Sequence, residues 1–185
     1  MIYNTGYFLD VEGLISLEKQ ERWDEARIML YHEWCADRLS SAKLIRLLSE
    51  CWYVLSLWDC CIDTNGLSYQ SFKDTLIECV EFGLNNFNKE PRFLCVAGYM
   101  ISMLPHLFYT GGAEEYSKWD QIGQDMMLRS IKLETNDQIA KVLHLGTSNS
   151  DCSYLSAKKQ LAPDLNDYFP NDSAIENYFK DILSI

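Results

Sequence analysis

The 185-residue chain reads as one all-α domain, residues 1–185, built of antiparallel helical hairpins stacked as a compact, divergent helical-repeat-like unit. Three observations predict this. Apolar side chains recur every three to four residues in one segment after another, which is the spacing of a single helix face. No stretch of comparable length alternates apolar and polar residues as a half-buried strand would. Finally, the run from Phe93 to Tyr109 contains no charged residue, so in water it must be enclosed by the rest of the chain or by a partner.

That run is the expected central helix. Pro91 suits the first helical position, where no intrahelical N–H bond is lost, and Pro105 cannot continue a regular helix past Leu104. The helix between them has roughly 14 residues and a length of about 21 Å, too short for a relaxed membrane span. Ala97, Gly98 and Ser102 allow a neighbouring helix to approach closely, while Leu94, Met100, Ile101 and Leu104 supply bulk.

The other elements follow in chain order. Leu14, Ile15 and Leu17 make an opening helical turn. From Gln20 to about Asp37, Trp23, Ala26, Leu30 and Trp34 form an apolar face opposite Glu21, Asp24 and Glu25. Ser40 or Ser41 caps a helix running to Ile62, buried on most sides and interrupted mainly by Lys43, Arg46, Glu50 and Asp59. Thr64-Asn-Gly66 is a turn in which Gly66 adopts positive φ, and Ser68 begins a helix to about Phe87. Gly111-Gly112 opens another turn. The next helix runs through Tyr116, Trp119, Met126, Ser130 and Leu133, and Thr135 with Gln138 fits a capping box for a shorter one ending at Gly146 as C-cap. Asp151 to Leu161 is helical, Pro163 ends it, and Ser173 with Glu176 caps a terminal helix carrying Ile175, Phe179 and Ile182. Two joints look alike, Asn88 to Pro91 and Leu133 to Asn136.

Apolar residues make up 48% of the chain, enough for a folded core. The formal charge is −11, from 16 Lys and Arg against 27 Asp and Glu. Such a balance disfavours nucleic acid and anionic membrane, which need cationic surface. It favours a basic partner, or else a solvated acidic surface that keeps the protein soluble. The seven cysteines are an odd set, mostly within apolar helical runs, and are read as reduced thiols that pack as small hydrophobes. The N-terminus has neither a basic nor a long apolar region, so no secretory signal is expected and the cytoplasm is the expected compartment.

Candidate chemistry is sparse. His32, Glu33 and Cys35 lie within one turn, but no second ligand pair completes a metal set, and interior or boundary packing is the expected role. His106 and His144 have structural explanations at helix ends. Cys60-Cys61 lacks the spacer of a redox pair, and Gly111-Gly112 is followed by Glu114-Glu115 rather than a lysine, so it is no phosphate loop. The expectation is a protein with no catalytic residues, metal or cofactor. The informative residues are acidic. Asp74, Glu78 and Glu81, at i, i+4 and i+7, share one helix face. Like-charge pairs at that spacing cost roughly 0.2–0.5 kcal/mol each, so the stripe is either a docking surface or a plainly hydrated face. Glu114, Glu115 and Asp120, with Asp125, decorate a second helix. Asp164, Asp167 and Asp172 surround Tyr168-Phe169, which either anchors an interface or seals the last helix.

Trp23-Asp-Glu-Ala26 and the hairpin after it resemble tetratricopeptide-type helix pairs in architecture, although the Gly and Tyr expected after the tryptophan are missing. In size, acidity, tryptophan-rich hairpins from Trp23 to Trp58 and the Gly98–Pro105 hub, the chain resembles immunity proteins of bacterial toxin–immunity pairs, including those of contact-dependent growth inhibition. That resemblance implies a cytosolic protein binding one cognate toxin domain, a basic nuclease, through carboxylates placed where phosphates would sit. The alternative is a helical scaffold or adaptor holding a peptide or protein partner.

Overall fold

A computed structural model describes residues 6–58, 60–109, 113–147 and 151–185. Its α-helices are α1 (Leu14–Lys19), α2 (Trp23–Ala36), α3 (Ser41–Ser56), α4 (Tyr69–Asn86), α5 (Pro91–Met103), α6 (Ala113–Leu133), α7 (Gln138–Thr147), α8 (Asp151–Leu161), α9 (Leu165–Tyr168) and α10 (Ala174–Leu183). Short 3₁₀ turns occur at Pro105–Leu107 and Ala162–Asp164. There is no strand among the described residues, and no helix among them is long and apolar enough to cross a membrane.

The caps follow the sequence closely. Ser40, Ser68 and Ser173 each accept the N–H three residues on, at the starts of α3, α4 and α10. Each gives a partner to a helix-start donor that would otherwise have none. Pro91 opens α5, Glu90 accepts the Phe93 N–H, and Pro105 follows its end. Gly66 has φ +79° in its turn.

The core is organised around α5 as predicted. Residues Phe93 to Ile101 are all buried, and α5 packs most extensively on α6. A Cβ on Gly98 would lie 2.8 Å from the Gly123 carbonyl oxygen, and one on Gly123 would lie 2.7 Å from the Gly98 carbonyl. The two backbones therefore touch, and no larger residue fits at either position without a shift. The Ser130 hydroxyl donates to the Pro91 carbonyl at 2.8 Å, pairing the end of α6 with the start of α5 in antiparallel sense. On the other side α5 packs on α3, whose Trp52 indole donates to the Met100 carbonyl at 3.2 Å. Each large apolar side chain so enclosed contributes about 1.5–3 kcal/mol.

The pairs α2–α3, α3–α4, α5–α6 and α7–α8 form the hairpins. The two joints that look alike in sequence differ in effect. At Phe87–Glu90 the chain turns away from a hairpin: Gly83 lies against the Phe93 ring near the joint, and α5 then packs along α3 and α6 rather than along α4.

Several elements depart from expectation. Helix α3 ends at Ser56, not Ile62; Asp59, and the Gly111-Gly112 turn, lie outside the described residues. Asp137 caps α7, accepting the Ala140 N–H at 3.0 Å, in place of Thr135. Gly146 is inside α7, where a Cβ would come 3.0 Å from the Tyr154 ring, so close packing and not a C-cap accounts for it. Tyr7 and Phe8, in the N-terminal stretch, are buried against Phe169 and Phe179. Phe169, wholly buried and stacked 5.8 Å from Phe179, seals the last helix.

Candidate functional site: the acidic surface

Helix α4 buries Phe72, Leu76, Cys79, Val80 and Gly83 against its neighbours, which turns Asp74 and Glu81 to solvent. Glu78, between them, is half-buried and taken up. Arg38 Nη1 donates to its Oε1 at 3.1 Å, and the Tyr31 hydroxyl donates to its Oε2 at 3.1 Å. The Arg38 guanidinium is itself stacked 3.8 Å above the Trp34 ring. Burial first, and then the Glu78 carboxylate, push the Tyr31 phenol above its ordinary range. Gln70 donates to Asp74 at 2.7 Å. Lys73, the cation next to Asp74 in sequence, donates instead to the Tyr109 carbonyl at 3.3 Å. The repulsion inferred from spacing is therefore relieved at its centre by a cation forty residues away.

On α6, Glu114 and Glu115 are exposed in the first turn, where the positive helix end favours carboxylates. Asp120 is half-buried. None of Glu81, Glu114, Glu115 and Asp120 has a hydrogen-bond or ion-pair partner among the described residues. The structure does not gather the six predicted residues into one pocket: α4 and α6 are each packed mainly on other helices. The Lys73 bond ties α4 to Tyr109, four residues before α6 begins.

Comparison with protein-family models, with curated proteins and with solved structures finds no match. Function must be read from the chain itself.

A second charged constellation was missed at the sequence level. Arg46 on α3, 1% exposed, donates through Nη1 to Glu50 Oε2 at 2.8 Å and through Nη2 to Glu18 Oε1 of α1. Glu18 Oε2 accepts the Ala174 N–H at 2.6 Å, at the start of α10. Glu18 and Glu50 are 5% and 0% exposed, and Glu50 Oε1 has no partner among the described residues. Burial above all pushes the Glu50 carboxyl up to about 7, against the pull of Arg46. The i, i+4 spacing of Arg46 and Glu50 in an apolar helix was the available signal; nothing local pointed to Glu18. Both Glu18 oxygens are engaged, so the cluster acts as a tie joining α1, α3 and α10. Beside it runs an open cleft of about 330 Å³, lined by Glu18, Trp23, Tyr53, Cys61 and Asp172 among others.

The remaining polar candidates scatter. His32, Glu33 and Cys35 are exposed, contrary to the packing role expected of them, because α2 buries Trp23, Ala26, Leu30 and Trp34 and so faces the intervening positions outward. Glu33 pairs with Lys43 at 3.0 Å. Cys51, Cys79 and Cys95 are buried, and burial pushes each thiol up; Cys35, Cys60, Cys61 and Cys152 are exposed, so fewer than half pack as hydrophobes. Among the described residues, no group of three or more His, Cys, Asp or Glu side chains is arranged to hold a metal ion.

Proposed function

We propose that this chain is an immunity protein, acting in the cytoplasm, that binds one cognate toxin domain of basic surface and neutralises it by covering its active or nucleic-acid-binding face. A nuclease is the toxin class that fits best, because a surface evolved to hold phosphates is cationic and accepts carboxylates in their place. The observation that carries this reading is the set of exposed carboxylates without basic partners, Glu81, Glu114 and Glu115 with Asp120 at the margin, on a chain of formal charge −11. Uncompensated surface charge of one sign accelerates encounter with the opposite sign and orients it. Asp74 lies on the same face of α4 as Glu81 and adds to the field, whereas Glu78 is neutralised by Arg38.

Co-expression decides it. Producing this chain together with the toxin domain encoded beside it should restore growth of a sensitive host, and the two proteins should co-purify. Failure of both rescue and co-purification overturns the proposal, and recovery of a bound peptide instead identifies a helical scaffold.

A further inference from the structure

A cleft of about 270 Å³ lies between Tyr7, Arg92, Glu134, Asn136, Asp137 and Tyr168. The N-terminal stretch, α5, the α6–α7 joint and α9 all contribute to it, so only the fold brings these residues together. Its charges are not spent on one another. The Arg92 guanidinium lies over the Tyr7 ring, 5.0 Å from its centroid, and donates to the Gly6 carbonyl at 3.5 Å. None of the ion pairs among the described residues includes Arg92, Glu134 or Asp137.

The walls are fixed in advance. Asp137 accepts both the Ala140 N–H at 3.0 Å and the Tyr7 hydroxyl at 3.3 Å, and Tyr7 is only 4% exposed. The Tyr7 N–H donates to the Tyr168 carbonyl at 2.6 Å, which leaves the half-exposed Tyr168 phenol lining the space. Burial, then Asp137, Asp164 and Glu134, hold that phenol above its ordinary range, so it remains a hydrogen-bond donor. Donors from Arg92, Asn136 and Tyr168 thus share one small space with acceptors from Glu134 and Asp137.

Size and charge narrow the ligand. The volume is below the roughly 300–1,000 Å³ of sites for drug-sized molecules. A phosphate or nucleotide would meet two carboxylates, and a polyamine would meet Arg92. A molecule carrying an ammonium and a carboxylate a few ångströms apart satisfies both ends. We propose that this cleft binds a free α-amino acid, its carboxylate on Arg92 and its ammonium on Glu134 and Asp137, beside the Tyr168 phenol. An arginine fork holds a carboxylate bidentately, and preset walls lose little freedom on binding. The site is independent of the toxin-binding reading.

The test is titration of the full chain with each of the twenty amino acids to about 10 mM, followed by NMR and calorimetry. At least one should bind saturably, and its decarboxylated amine and its N-acetyl derivative should each bind at least about tenfold more weakly. Arg92→Gln should remove that discrimination against the amine. Glu134→Gln, a change at an exposed side chain, should weaken the amino acid about tenfold or more while leaving the unfolding midpoint unchanged. Absence of saturable binding by all twenty overturns the proposal, as does equal binding of the amine or N-acetyl derivative, or Glu134→Gln protein that binds as tightly as wild type.

Discussion

Carboxylates occur in this protein in two settings. Glu18 and Glu50 are enclosed around Arg46, where the guanidinium and the Ala174 N–H satisfy three of their four oxygens. Glu81, Glu114 and Glu115 are exposed, and none of the ion pairs among the described residues includes them. In the interior, desolvation makes an unpaired charge intolerable, so the cluster ties three helices together and one carboxyl holds its proton up to about pH 7. At the surface, water screens each charge, so the same group contributes little to the fold and is free to act on a partner. Glu78 stands between the two cases: half-buried, it has acquired Arg38 and Tyr31 and left the set available for docking.

The largest expected effect is at the interior cluster. Arg46→Met strands two buried carboxylates and should lower stability by about 3–5 kcal/mol, read from urea unfolding. A loss under about 1 kcal/mol would mean that the interior and surface carboxylates do not differ in kind. Gly98→Leu supplies an uncharged counterpart. It forces a side chain into the Gly123 backbone and should cost about 1–3 kcal/mol, equally at every pH. An unchanged midpoint would show that the α5–α6 contact tolerates expansion.

The pH dependence gives a second test of the interior cluster. Because the folded carboxyl of Glu50 is raised from 4.5 to about 7, its contribution is fully present below about pH 4.5 and is lost as pH rises through 7. Wild type should therefore lose stability relative to Glu50→Gln across that window, seen as converging or crossing unfolding midpoints between about pH 4.5 and about pH 7. Parallel curves would show that Glu50 is already ionised or already exposed.

The fold was more legible than the charges. Ser40, Ser68, Ser173, Pro91 and Pro105 act on neighbours within four residues, so their effect is written locally. The gap at Gly98 was also visible, because a glycine in an uninterrupted apolar helix implies a close neighbour, although its partner Gly123 was not. Arg38–Glu78, Glu18–Arg46 and Tyr7–Asp137 join residues 40, 28 and 130 positions apart, and no periodicity encodes such pairings. Asp137 displaced Thr135 as a cap, and Tyr154 gave Gly146 a packing role, for the same reason: tertiary neighbours chose between locally equivalent options. Of the predicted docking residues, exposure was foreseen correctly for Asp74, Glu81, Glu114 and Glu115, while the neutralisation of Glu78 depended on a cation from the end of α2.

The smallest expected effect on stability belongs to the surface. The triple variant Glu81→Gln, Glu114→Gln, Glu115→Gln should unfold within about 0.5 kcal/mol of wild type. Its association with the toxin domain proposed as its partner is the most direct measurement of the contrast between enclosed and solvated carboxylates. By stopped-flow at low salt the triple variant should associate several-fold more slowly than wild type, and the two rates should converge at about 1 M salt, where the screening length falls to about 3 Å. Equal rates at low salt would contradict the assignment of these carboxylates to partner recognition.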